Sequence, residues 1–288
     1  MDWRFTEDVA EYADAAGPLL AADPVRHTVS LTVIENARVR AHALDEPELF
    51  GWWTGQDGTI AGAVSHTPPF GLLLGVVPDE AVQPLAEALW RSVGDPRTDR
   101  RLSGVNGPAA LAAQFAAVWT RRTGERAVLR DAQRLHRLEE LVPPEPAPPG
   151  RARPATAEDT ELLIRWLPAF HGEVGGVGTD PEVTVADRLS YGGFVLWEDE
   201  HGEPVSLAGR TRTAAGVARV APVYTPPERR RRGWAAGATV AVTRAALEQG
   251  AREVVLFTQL DNPTSNALYH RLGYRPVADR LVFAFEPA

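Results

Sequence analysis

Residues 143–150 read Pro143-Pro144-Glu145-Pro146-Ala147-Pro148-Pro149-Gly150, a run that forms neither a helix interior nor a central strand. Each proline ring fixes φ and removes a backbone donor, so the run is a semi-rigid, extended linker. It falls near the midpoint of 288 residues. Two lobes of similar size are therefore expected, 1–142 and 151–288, joined by a linker at 143–150.

The second lobe reads as alternating helices and strands. Thr156-Ala157-Glu158-Asp159 starts a helix, with Thr156 as its cap and acidic residues in its first turn. Leu162, Leu163, Trp166 and Leu167 follow at helical spacing. A glycine-rich loop, 172–178, precedes a short helix around Ala186–Leu189. Strands are expected at Phe194–Trp197, Val205–Thr211, Gly216–Tyr224, Val254–Thr258 and Val277–Phe285, with a polar turn at Glu198–Glu203. Helices are expected at Trp234–Gln249, ended by Gly250, and at Thr264–Leu272, stopped by Gly273. The fold class is α+β (α/β-like), a mixed sheet flanked by helices.

The first lobe shows a related order. Leu49–Trp53, Thr59–Ser65 and Leu72–Val76 read as strands, and Glu80–Arg91 and Pro108–Thr123 as helices. The stretch Gly104-Val105-Asn106-Gly107-Pro108 reads as a turn.

Net charge is -8, which argues against nucleic acid or an anionic membrane as the partner. No segment has the apolar length of a membrane span, and the N-terminus lacks the pattern of a signal peptide, so the cytoplasm is the expected location. The chain has no cysteine, which excludes disulfides, thiolate metal sites and a Cys-linked acyl intermediate. The seven histidines, at 27, 42, 66, 136, 171, 201 and 270, show no metal-ligand spacing, so no metal is expected. No Gly-x-Ser-x-Gly elbow is present to support a serine hydrolase.

One loop carries chemistry. Arg230-Arg231-Arg232-Gly233-Trp234-Ala235 lies between a strand and a helix. A helix N-terminus exposes unpaired N–H groups and a partial positive charge, so it attracts phosphate oxygens. Gly233 permits close backbone approach, small Ala235 and Ala236 leave the first turn open, and arginines add donors. By itself, a run of arginines is also an ordinary solvated turn.

The stretch Val223-Tyr224-Thr225-Pro226-Pro227-Glu228-Arg229-Arg230-Arg231-Arg232-Gly233-Trp234-Ala235 resembles the Arg/Gln-x-x-Gly-x-Gly/Ala signature of the GNAT acetyltransferase superfamily. Asn262-Pro263-Thr264-Ser265-Asn266-Ala267-Leu268-Tyr269-His270-Arg271-Leu272-Gly273-Tyr274 resembles that family's second signature, one helix and one strand later. The resemblance implies a GNAT fold with a mixed, mostly antiparallel sheet over about residues 151–286, and a degenerate GNAT-like first lobe without the phosphate loop. It implies acetyl-CoA as acyl donor and an amine of a small molecule or peptide as acceptor, in a monomer or homodimer. Val223, Tyr224 and Thr225 would line the pantetheine arm, and Arg230, Arg231, Arg232, Gly233, Trp234, Ala235 and Ala236 would cradle the pyrophosphate. Asn262 and Ser265 would line the far side of the cleft. Tyr269 falls where relatives protonate the leaving thiolate. The acceptor pocket falls at the glycine-rich loop, where Glu173, ahead of His171, is the expected base. A non-catalytic acyl-CoA-binding protein is the alternative.

Overall fold

The computed structural model describes residues 2–39, 47–93, 102–175, 178 and 180–288. His42 and positions 176 and 177 of the glycine-rich loop lie outside the described residues. The elements form two series in one order: strand, two helices, three strands, helix, strand, helix, strand. The first series is β1 (Asp2–Thr6), α1 (Val9–Ala21), α2 (Thr28–Val39), β2 (Leu49–Thr54), β3 (Ile60–His66), β4 (Leu72–Val76), α3 (Asp79–Val93), β5 (Gly104–Pro108), α4 (Ala109–Thr123) and β6 (Arg126–Leu138). The second is β7 (Arg151–Pro154), α5 (Thr160–Val174), α6 (Pro181–Ser190), β8 (Phe194–Glu198), β9 (Pro204–Arg210), β10 (Val217–Tyr224), α7 (Trp234–Glu248), β11 (Glu253–Gln259), α8 (Pro263–Arg271) and β12 (Tyr274–Glu286). The chain divides into two compact units, Met1–Gln133 with Ala278–Ala288, and Arg134–Val277. The last strand of each series is thus split, its final residues belonging to the other unit.

In the first unit β1 to β5 lie side by side, and the end of β12 completes the sheet beside β5. β1 with β2, β2 with β3, β3 with β4 and β5 with β12 pair antiparallel, and β4 pairs with β5 parallel. Alternation directs Val64, Leu72, Leu74 and Val105 to one face, where they pack with Leu85, Phe115, Trp119 and Phe285. The stretch Gly104–Pro108 is a strand, not a turn. Its glycines serve close approach: a Cβ at Gly107 would stand 2.8 Å from Leu74 Cβ, and one at Gly104 would overlap Phe283 O. Only Val77 and Pro78 separate β4 from α3, and the first turn of α3 carries Asp79 and Glu80. A short, acidic helix entry disfavours phosphate.

In the second unit β11, β10, β9, β8 and β7 are neighbours in that order, with β6 beyond β11. β7 with β8, β8 with β9 and β9 with β10 pair antiparallel, and β10 pairs with β11 parallel. One apolar core lies around α7 and includes Trp197, Val220, Val242, Leu256, Tyr269 and Tyr274. Another includes Leu163 and Leu167 of α5, Val185 of α6, and Phe194, Leu196 and Leu207 of the strands. Thr156 and Asp159 form a reciprocal capping box before α5. The helix expected around Ala186–Leu189 begins earlier, because Asp180 caps it and Pro181 supplies its first turn. Glu198, expected in the turn, is the buried end of β8, held by Arg153 at 2.5 Å and Arg151 at 3.2 Å.

Candidate active site

Parallel pairing of β10 with β11 runs from Val217↔Glu253 to Val220↔Leu256. Beyond it β10 continues to Tyr224 against β9, after a register shift between Val220 and Val223. The two parallel strands therefore part, and the edge of Val223 and Tyr224 facing β11 is left without a ladder partner. The opening is held from behind: Ser206 Oγ donates to Tyr224 O at 3.1 Å and lies 2.8 Å from Thr225 Oγ1. The ring of Trp166 meets Tyr224 edge-on, 5.9 Å between centroids.

The arginine–glycine loop follows. Arg231 has φ 67 and Gly233 φ 80, so the backbone turns through left-handed conformations immediately before α7. That turn suits glycine and strains arginine, and such strain concentrates at ligand-binding backbone. No side chain caps α7, and no acidic residue occupies its first turn. The first intrahelical donor is Gly237 N to Gly233 O at 3.1 Å, which leaves the N–H groups of Trp234, Ala235 and Ala236 for a ligand. The Trp234 side chain is otherwise engaged: its Nε1 donates to Pro149 O at 3.1 Å, as does Trp197 Nε1 at 2.9 Å. Arg232 lies over the Trp234 ring at 5.4 Å. Arg230 turns back, donating from Nε to Thr225 O at 2.8 Å.

Across the opening, Asn262 caps α8 by accepting from Ser265 N at 3.0 Å. Asn266, whose role the sequence does not reveal, ties this turn to β11. Its Nδ2 donates to Gln259 O and Asn262 O, and its Oδ1 accepts from Thr258 Oγ1 at 2.7 Å. Thr258 also meets His136 Nε2 at 3.0 Å.

Tyr269 projects from α8 into the core around α7, edge-on to Tyr274 at 6.1 Å. The Tyr274 hydroxyl is bonded to Thr243 at 2.6 Å. The Tyr269 hydroxyl has no hydrogen-bond partner among the described residues. Burial raises its pKa above the ordinary 10.0, so the phenol stays protonated at neutral pH.

Glu173, expected in the glycine-rich loop with His171, lies like it in the last turn of α5, because the helix continues to Val174 and ends at left-handed Gly175. Glu173 has both carboxylate oxygens 2.6 Å from Arg230 Nη2. His171 packs edge-on to Phe170 at 5.5 Å. Desolvation, with the charge of Arg188 second, lowers its pKa below 6.5, so the imidazole is neutral at pH 7. Gln259 Nε2 donates to Val174 O at 3.1 Å, joining the end of α5 to β11. Among the described residues no three His, Asp or Glu side chains gather as a metal site, and no helix is long and apolar enough to cross a membrane.

Residues 160–274 match the family described as "Acetyltransferase (GNAT) family". A Drosophila protein of known structure superposes with a TM-score of 0.68 at 15% identity, covering 99% of this chain and 98% of that one. A GCN5-related N-acetyltransferase from Sphaerobacter thermophilus gives 0.63 at 17%, covering 99% and 96%. A tandem GNAT protein from the clavulanic acid biosynthesis pathway gives 0.57 at 15%, covering 100% and 99%. At these identities the structures speak for the fold. No curated protein matches the chain. The splayed parallel strands, the uncapped helix, the sequence match and the shared fold agree: residues 160–274 are a domain of the GNAT acetyltransferase family, in a chain with the fold of tandem GNAT proteins.

Proposed function

We propose that the protein moves an acetyl or short acyl group from acetyl-CoA to the amine of a small molecule or peptide, by direct transfer. The observation that carries this reading is the uncapped N-terminus of α7, entered through Arg231 and Gly233 at positive φ, where β10 and β11 part. Backbone N–H groups from Arg231 to Ala236 bind the pyrophosphate, with Arg230 and Arg232 beside them. Val223, Tyr224 and Thr225 line the pantetheine arm, and Asn262 and Ser265 face it. Residues 151–288 form the catalytic lobe, 143–150 the linker, and 1–142 a lobe without a phosphate loop. The protein works in the cytoplasm as a monomer or homodimer.

In the reaction the amine nitrogen attacks the thioester carbonyl, the C–N bond forms, and the C–S bond breaks. The amine proton leaves to a base in the last turn of α5, and the departing thiolate takes a proton from Tyr269. Glu173 serves as base only when it is free of Arg230, since both of its oxygens rest on that guanidinium. Neutral His171 is the base available while the ion pair stands.

The test is incubation with acetyl-CoA and a panel of amines, reading free thiol and acetylated product by mass. Thiol release that depends on an amine supports the reading. Stabilisation by acetyl-CoA without turnover on a broad panel supports an acyl-CoA-binding protein instead.

A further inference from the structure

Arg188, near the end of α6, reaches the place where β10 breaks register. Its Nη1 donates to Ala221 O, inside the register shift between Val220 and Val223. Its guanidinium carbon lies over the Phe194 ring, 5.3 Å from the centroid. Gly209 makes the slot: a Cβ there would stand 2.8 Å from Arg188 Nη1 and 2.9 Å from both Ala221 O and Phe194 Cε1. The arginine is half-buried, and its Nε and Nη2 take no partner among the described residues.

The neighbourhood is short of negative charge. Arg210 is 2% exposed and donates to the backbone oxygens of Thr211 and Tyr191 and to Gln249 Oε1. Arg212 lies over the Tyr191 ring at 4.2 Å and bonds Asp187 at 2.6 Å. Three guanidiniums thus share one bonded carboxylate, and that carboxylate is on Arg212. A partly buried guanidinium with one carbonyl partner is under-compensated, and the edge formed by Nε and Nη2 matches a carboxylate in two parallel hydrogen bonds. Ala221 lies in the register shift of β10 just beyond Val220, the last residue paired with β11, so Arg188 stands at the edge of the opening between these strands.

We propose that the free edge of Arg188 receives a carboxylate of the acceptor, so that the acceptor is an amine that also bears a carboxylate, such as an amino acid. This rests on the acyltransferase reading and narrows it. Arg188 is a specificity-determining residue here, not a proton carrier.

The test compares an amino acid, its carboxamide and the corresponding carboxylate-free amine as acceptors, by thiol release, in the wild type and in Arg188→Gln and Arg188→Lys. In the wild type the amino acid should be favoured in kcat/KM by about 10- to 100-fold, the worth of a charge-assisted hydrogen bond pair. Arg188→Gln should abolish that preference through KM, with kcat little changed, and Arg188→Lys should restore part of it. Equal use of acid, amide and amine by the wild type overturns the inference and leaves acyl transfer standing, and the same holds for a preference that survives in Arg188→Gln. Absence of turnover with every amine overturns both. The wild-type comparison decides the matter even if the variants fold poorly.

Discussion

Arg230 Nη2 lies 2.6 Å from each carboxylate oxygen of Glu173, which bonds the end of α5 to the arginine–glycine loop. Both side chains are about two-fifths exposed, so the pair adds little to stability. Under the proposed function the pair competes with the ligand, since a pyrophosphate bound on the loop would draw on the same guanidinium. Glu173→Gln should therefore tighten acetyl-CoA binding, by roughly 2- to 5-fold for an exposed pair. Arg230→Ala should weaken binding and remove the gain from Glu173→Gln. Titration calorimetry on both single variants and the double variant checks the coupling, and simple additivity would contradict it.

Tyr269→Phe keeps the buried ring and deletes the hydroxyl. Turnover should fall on the order of 100-fold, the scale of one general acid, while acetyl-CoA affinity stays the same. Steady-state kinetics beside a binding isotherm separates the two effects, and unchanged kcat would remove the assignment.

His171 has a depressed pKa, so its protonated, inactive form accumulates only below pH 6.5. If it is the base, kcat/KM should fall as pH drops through that lowered value, and His171→Ala should lose this limb while Glu173→Gln keeps it. A pH–rate profile that vanishes in Glu173→Gln alone would assign the base to Glu173.

Much of the second lobe was legible because its elements carry their own signals. The loop and the Asn262–Tyr274 stretch were recognised by residue type at fixed spacing, and the expected strands lie within a few residues of β8 to β12. The strand β5 escaped notice because its two glycines imitate a turn, whereas they serve close contact with Leu74 and Phe283. The strands β6 and β7 are rich in arginine, and their patterning resembles solvated chain. Arg188 was illegible for a different reason: its meaning comes from a glycine 21 positions later and a register shift beyond that, which no local pattern encodes.

Arg153 joins three elements, donating to Asp159 at 2.7 and 2.8 Å and to Glu198 at 2.5 Å. Hydrogen bonds from Arg153, the first cause for each, hold both carboxyls below their ordinary 3.8 and 4.5. Carboxyls depressed in the folded state stabilise above their unfolded pKa values, and that stabilisation is lost as pH falls through the lowered ones. Arg153→Gln should cost about 2 kcal/mol at pH 7, allowing for the partial exposure of the arginine. It should also flatten the loss of stability below about pH 4.5. Urea unfolding of the two proteins at pH 7 and pH 3.5 checks both, and an equal loss of stability on acidification would contradict the pairing.

Under the proposed function, amine-dependent transfer from acetyl-CoA takes place at the mouth of β10 and β11. It is tested most directly by stopped mixtures of the protein, acetyl-CoA and amines, with free thiol and acetylated amine measured together. Equal amounts of both are expected, dependent on the amine and strongly reduced in Tyr269→Phe. Tight acetyl-CoA binding with neither product, across amines with and without a carboxylate, would contradict it.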